Sequence, residues 1–332
     1  MNNGGYCKGP GPWRFGAGED KIAFMDPIAH TLAGTLLGRS QPSRKKGLVL
    51  ACVFGALVPD IDIVLTLWGR EFYMTEHRGF THSLLGFIPV SLLAAWVAWF
   101  FTRKKSDRAP FGWILGMAMV GVLSHLYLDW CTSWGTMLLW PNRERFSGDS
   151  LFIVDLWYTA LLAVPILASA FFKKHRAKIC AIGILLAAGY HVMAVHNHSR
   201  ALGVAAQDRP QAWRAAFPQP FSPYRWSAFN RQDRLLRHAR IDFLLGPGAL
   251  EWKEYQDPPL TPDLQAAMDS PEGKQFLWFS RVPYWEVASL PDGTQEIDCW
   301  DLRFYAYAFQ NQTRRSFGKR FIVKDGKVLK AE

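Results

Sequence analysis

Apolar residues are spread unevenly along the chain. Before about residue 196 they crowd into long runs; beyond it they alternate with polar residues and are punctuated by proline. Leu84 to Phe101, Phe111 to Trp130, Leu151 to Phe172 and Ile179 to Val195 each approach the ~20 residues that cross a bilayer core as helix. Pro89 and Pro165 fall inside two of these runs, where a membrane bundle can re-satisfy the backbone groups that proline frees. Pro27 to Gly38 and Gly47 to Pro59 are shorter. They predict a helical hairpin that dips partway into the membrane or packs inside the bundle.

The C-terminal third follows a different rhythm. Arg240 to Leu245, Glu296 to Tyr307 and Lys319 to Leu329 alternate as strands do, with Asp325-Gly326 marking a hairpin in the last. Thr261 to Phe279 reads as helix, with Pro262 at its start and Pro271 dividing it. The predicted fold is therefore mainly α: a multi-spanning bundle of four long helices plus a short helical hairpin, and a small C-terminal α+β extramembrane domain. Domain limits are expected at 25–198 for the bundle and 199–332 for the domain outside the membrane. Residues 1–24 lack the apolar stretch of a signal peptide. They read as a disordered N-terminal extension ahead of an initiator at Met25.

Charge orients the bundle. Three loops are basic: Arg39, Arg44, Lys45 and Lys46; then Arg103, Lys104, Lys105 and Arg108; then Lys173, Lys174, Arg176 and Lys178. They alternate with two balanced ones, Arg70, Glu71, Glu76 and Arg78, and Arg143, Glu144, Arg145 and Asp149. The positive-inside rule then predicts a bacterial inner-membrane protein with its basic loops in the cytoplasm and its C-terminal domain outside. A soluble all-α core would carry acid–base pairs on its helix faces, and these runs carry none. Net charge is +10, but its place in short loops points to orientation and membrane lipids rather than a nucleic-acid partner. Five cysteines without CxxC spacing argue against a disulfide framework or a cysteine zinc site.

Ionisable side chains cost at least ~2.5–3.5 kcal/mol in membrane segments and usually serve a function. Here they gather at one predicted level: His30 in the first short helix, Asp60 and Asp62 in VPDIDIV, His77, Arg78, Thr81 and His82 in HRGFTHS, and His125 and Asp129 in SHLYLDW. His125 and Asp129, four apart, share a helical face. Carboxylates and imidazoles together suit a divalent cation, with zinc, manganese or iron as candidates. The expected metal ligands are His30, Asp60, His77, His82, His125 and Asp129. Asp62, Arg78 and Thr81 are the expected catalytic residues, either aspartate being able to serve as base and Arg78 to neutralise developing charge. Plainer readings exist for each: a hydrogen-bonded HxxxD pair, an Asp60/Asp62 cap on the next helix, a Ser83 N-cap. Asp155 is as well explained by an interhelical hydrogen bond, and His191, His196 and His198 by the membrane interface.

MDPIAHTLAG, GALVPDID, HRGFTHSLL, LSHLYLDWCTSWGT, LLWP and FIVDLWY together resemble the YdjM/YbcI-type family of inner-membrane metal-dependent hydrolases, from Met25 to about Tyr158. PFSPYRW, at Pro220 to Trp226, looks like the start of the tail of longer members. The resemblance implies a membrane-bound hydrolase. The chain is more distantly similar to bacterial zinc-dependent phospholipases C. That likeness would place one metal on Asp60, His77 or His82, His125 and Asp129, with His30 near a second; the His-xxx-Glu of a full multi-metal cluster is not found downstream. The expected function is metal-dependent hydrolysis of a lipid or phosphoester at the outer face. An ion or proton carrier, or an assembly factor with a structural metal, are the alternatives. A carrier should distribute polar residues across the membrane depth, whereas the inner halves of these helices are nearly uncharged.

Overall fold

A computed structural model describes residues 27–207, 209–246, 250–304 and 318–331. The expected N-terminal extension and the end of the expected strand at Tyr307 lie outside the described residues. The chain opens with α1 (Pro27–Ser40), α2 (Leu48–Gly55) and a 3-10 helix (Val58–Trp68), followed by α3 (Arg70–Glu76). Then come α4 (Leu84–Thr102), α5 (Phe111–Cys131), α6 (Leu156–Phe171) and α7 (Arg176–Ala206). Ser83 caps α4, its hydroxyl accepting from the Gly86 amide at 2.9 Å.

Among the described residues, four segments are long and apolar enough to cross a membrane: Leu48–Trp68, Leu84–Thr102, Phe111–Cys131 and Lys173–Ala206. Two boundaries differ from those read in the sequence. The second short run does not stop at Pro59 but continues as the 3-10 helix to Trp68, because Pro59 sits at its start, where a missing amide N–H costs little. The run beginning at Leu151 yields a helix of only 16 residues. Asp155 ends the preceding extended segment as the N-cap, accepting from the Tyr158 amide at 2.9 Å, and the amides of Ser150 and Leu151 bond back to the Cys131 carbonyl.

The bundle packs through small residues. Ala51, Ala94, Ala95, Ala98 and Ala118 are fully buried, and α2 meets α5 at Gly55 and Gly121. A Cβ on Gly121 would lie 2.2 Å from the Cys52 carbonyl oxygen, so only glycine allows this approach. The outward faces are apolar instead: Leu84, Leu85, Ile88, Trp96 and Phe101 of α4 are all exposed, as in a helix whose solvent is hydrocarbon. The three basic loops meet at one end, where Lys46 and Ala109 exchange backbone bonds with the facing loop and Arg176 donates to the Gln41 and Ser43 carbonyls.

At the other end stands the C-terminal domain. Helix α7 runs through residue 198 to Ala206, and Ala201 and Ala205 pack on Trp226, Ala228 and Ile241. Two four-stranded antiparallel meanders follow: β1 (Trp213–Pro218), β2 (Arg225–Gln232), β3 (Leu235–Asp242) and β4 (Trp252–Gln256), then β5 (Pro283–Ser289), β6 (Gln295–Asp301), β7 (Gly318–Lys324) and β8 (Lys327–Ala331). Helices α8 (Pro262–Asp269) and α9 (Pro271–Phe279) cover the second sheet through Leu264, Phe276, Trp285 and Phe321. The predicted Asp-Gly hairpin joins β7 to β8, with Asp325 and Gly326 both at positive φ. Trp226, Tyr255, Tyr284 and Trp285 are buried in the domain core, whereas Trp213 is exposed.

Candidate metal centre

Each element supplies its polar groups to one point. His125 lies in the penultimate turn of α5, fully buried, and its Nδ1 faces the Ala56 carbonyl at 2.8 Å. A carbonyl only accepts, so Nδ1 carries a proton and Nε2 is the nitrogen left to offer a lone pair to an ion at the centre. Asp129, one turn on, receives Arg78 Nη2 at 2.8 Å and faces His30 Nε2 at 3.3 Å through Oδ1. Its Oδ2 is left bare. The turn carrying His82 is shaped by Arg78, a non-glycine residue at φ 61°, and Thr81 Oγ1 lies 2.9 Å from His82 Nδ1.

Four ligand atoms then converge. His82 Nε2 is 3.3 Å from Asp60 Oδ1 and 3.2 Å from Asp129 Oδ2. His125 Nε2 is 3.5 Å from Asp60 Oδ1, 3.3 Å from Asp129 Oδ2 and 3.0 Å from His82 Nε2. A tetrahedral ion bound at ~2.0–2.1 Å spaces its ligands at roughly 3.3–3.4 Å, which is the scale of all five separations. Asp60 Oδ1 and Asp129 Oδ2 are buried and have no hydrogen-bond partner, a costly state unless a cation sits among them. The donor set Asp60, His82, His125 and Asp129 therefore fits a divalent metal.

Other expected residues lie around this group rather than in it. His77 turns away to Asp62, its Nδ1 at 3.0 and 3.1 Å from the two carboxylate oxygens. Asp62 also accepts from the Arg78 amide at 3.0 Å and from Thr81 Oγ1 at 3.4 Å; it is a buried brace for the turn, and Thr81 links it to His82. His30 stacks on His125 with ring centroids 3.9 Å apart. Arg78, fully buried, also donates to the Asp129 and Gly135 carbonyls and to Thr132 Oγ1. Burial disfavours the His82 imidazolium, but the carboxylates of Asp129, Asp60 and Asp62 outweigh it and raise the pKa. For His77 burial wins and the pKa falls.

Asp155 is the α6 cap described above and accepts from Tyr190 Oη at 2.8 Å. His191 corrects the interface reading: it is buried between α5 and α7, bonded to Ser150 Oγ at 2.8 Å and to Tyr127 Oη. His196 is exposed, and His198 stacks on Trp226 at 5.5 Å. Sequence reading missed Arg145, hidden in a loop that looked merely charge-balanced. Its guanidinium donates to the His77, Met74 and Gly135 carbonyls and lies 4.8 Å from the Trp278 ring. Burial, then the nearby Arg78 and Arg303, push its pKa down to about 9.

The fold and this centre define a helical membrane protein built around a buried two-histidine, two-aspartate group able to hold a divalent ion. The chain belongs to the YdjM inner membrane protein family, whose pattern matches residues 25–201. It is 34% identical over 113 residues to the inner membrane protein YdjM of Escherichia coli (strain K12), covering 30% of this chain and 52% of that one. It is 34% identical over 103 residues to the inner membrane protein YbcI of the same organism, covering 30% of this chain and 57% of that one. It is also 28% identical over 131 residues to the uncharacterized protein YfhP of Bacillus subtilis (strain 168), covering 37% of this chain and 39% of that one. The aligned region thus spans between 39% and 57% of these curated relatives. No solved structure matches this chain, and the comparisons do not extend the resemblance to zinc-dependent phospholipases C.

Proposed function

We propose that the protein is a membrane-bound metal-dependent hydrolase of a lipid or phosphoester substrate, with its centre at the outer face of the inner membrane. The observation that carries this reading is the convergence of two imidazole nitrogens and two carboxylate oxygens, five of their separations being 3.0–3.5 Å and both oxygens lacking any other partner. Two nitrogen and two oxygen donors favour zinc, with manganese or iron as alternatives. A bound ion would polarise the ester and lower the pKa of water. The net reaction adds water across the ester and releases an acid and an alcohol.

The chain's own groups have separable tasks. Asp60, His82, His125 and Asp129 hold the ion; Arg78 fixes Asp129 and adds positive charge beside the centre; Asp62 and Thr81 set the orientation of the His82 turn. Asp60 is the ligand left partly open, its side chain 23% exposed against at most 2% for the other three. Catalytic zinc sites keep a position for water; hydrolysis here would need Asp60, the most exposed of the four ligands, to yield one. The gathering of the basic loops at the end away from the centre supports, through the positive-inside rule, a centre and C-terminal domain outside the cytoplasm.

Elemental analysis of the detergent-purified protein should find about one divalent ion per chain, lost in His125→Ala and Asp129→Ala. Absence of stoichiometric metal, or its retention in both variants, would overturn the proposal. Transport in proteoliposomes without hydrolysis would favour the carrier.

A further inference from the structure

We propose that substrate reaches the centre sideways from the bilayer, through a cleft between α1, α5 and the Leu151–Asp155 segment. We further infer that the cleft admits an amphiphile whose scissile ester carries at most one negative charge. The inference rests on the hydrolase reading and assigns its substrate class and path.

The C-terminal domain covers the loops above the centre. Trp134, 6% exposed, packs its ring 5.1 Å from Phe279 of the C-terminal domain. Arg303 donates to the Ser133 carbonyl at 2.6 Å, Arg281 bridges Asp149 at 2.5 and 2.8 Å, and Trp278 Nε1 donates to the Arg143 carbonyl at 3.1 Å. These bonds pin the domain over the loops that top the centre.

The cleft lies to the side. Its floor is His30, Arg78 and Asp129, and its walls include Leu128, Leu151 and Tyr158. His30 is only 4% exposed, and its Nδ1 has no hydrogen-bond partner. A buried polar atom left unpaired at the floor is a place for a polar group of the substrate. The cavity of about 40 Å³ has room for roughly three water-sized groups, enough for the oxygens of one ester but not for a bulky headgroup. Next in sequence to the lining residues Ala29, Ile153 and Asp155, the apolar Ile28, Val154 and Leu156 are 62%, 44% and 54% exposed. A polar floor within an apolar rim at membrane depth matches an ester head with its chains left in the bilayer.

Charge sets the limit on the head. Asp60, Asp62 and Asp129 contribute three negative charges. Arg78 and a divalent ion would balance them. Asp155 adds a further carboxylate at the cleft edge. The centre's charges are balanced before substrate enters, so each negative charge on the head adds repulsion from the carboxylates in a poorly hydrated space, and a dianionic monoester is disfavoured more than a phosphodiester or neutral ester.

The test uses the full-length, metal-loaded protein in vesicles of phosphatidylglycerol and phosphatidylethanolamine. Thr159→Trp fills the cleft wall; Val164→Trp, on the 62% exposed outer face of α6, adds the same bulk elsewhere. Thr159→Trp should reduce hydrolysis of a fluorogenic phosphodiester phospholipid at least tenfold with metal content unchanged, while Val164→Trp stays within twofold. Phosphatidic acid should be a far poorer substrate than the diester. Independently of activity, a phosphatidylglycerol carrying a diazirine near its head should crosslink preferentially to residues 151–159 of the unmodified protein, and less in Thr159→Trp or, should that variant not fold, Thr159→Phe. Crosslinks spread evenly over all outer faces, an unaffected Thr159→Trp, or equal hydrolysis of phosphatidic acid would overturn the proposal. A wild-type protein that crosslinks in the cleft yet hydrolyses no probe would instead sink the hydrolase reading alone.

Discussion

Gly121→Ala tests whether the close crossing of α2 and α5 holds the metal centre in shape. The added Cβ would stand 2.2 Å from the Cys52 carbonyl oxygen and 2.9 Å from both Ala56 N and Gly55 Cα. All three are backbone atoms, so no rotamer change relieves the clash. Ordinary contact begins near 3.4 Å, which leaves a shortfall of about 1.2 Å for the helices to absorb by moving apart. The adjoining 2.8 Å bond from His125 Nδ1 to the Ala56 carbonyl would then open to about 4 Å, beyond hydrogen-bond reach. Overpacking of this kind costs about 1–3 kcal/mol, and loss of the bond that orients a ligating imidazole costs about 10–100-fold in metal affinity. Gly116→Ala is the control, since a Cβ there meets nothing within 4 Å on the same helix and should gain up to about 1 kcal/mol of helix propensity. Unfolding in detergent and competition with a chromophoric chelator read the two effects. If Gly121→Ala is as stable and binds metal as tightly as Gly116→Ala, the crossing does not support the centre.

Two further outcomes follow from separate parts of the molecule. Thr81→Ala removes the hydroxyl 2.9 Å from His82 Nδ1 and should weaken metal binding about tenfold, with Thr81→Ser restoring it; wild-type affinity in the alanine variant would contradict the role given to Thr81. In the C-terminal domain, burial first, then Arg240 and Lys253, push the His238 pKa from 6.5 down to about 3. The unfolded chain thus takes up the proton first, so stability is full above pH 6.5 and falls as pH drops toward 3, by about 2 kcal/mol at pH 5. Thermal unfolding of the full chain followed by tryptophan fluorescence should show this between pH 7 and 5, and His238→Gln should flatten it; an unshifted midpoint in the wild type would refute it.

Local rules were enough to read much of this protein. Run length gave the spans Leu84–Thr102 and Phe111–Cys131 to within about a residue. The four-residue spacing of His125 and Asp129 put both on one face of α5, and the distances agree. The same rules failed where the decisive contact is distant in sequence. Leu151 to Val154 read as helix, but the Ser150 and Leu151 amides bond to the Cys131 carbonyl and the helix begins only at Leu156. His191 looked like an interface residue because its partners, Tyr127 and Ser150, come from other segments.

Membrane residence, the gathering of polar groups at one end and the hairpin at Asp325-Gly326 are properties of residue order alone, because they depend on length, charge and local dihedral preference. Which polar groups meet is a tertiary matter. Asp60 and Asp62 are two residues apart on a 3-10 helix, where ~3 residues per turn separates them by about two thirds of a turn; one therefore faces the centre and the other His77. His77 and His82 are chosen between in the same way, by a turn at Arg78 whose left-handed backbone is held by a buried guanidinium bound to Asp129, 51 residues away. Spacing along the chain cannot anticipate a choice made by a partner on another helix. The two bare oxygens of Asp60 and Asp129 emerge only when those helices are packed together.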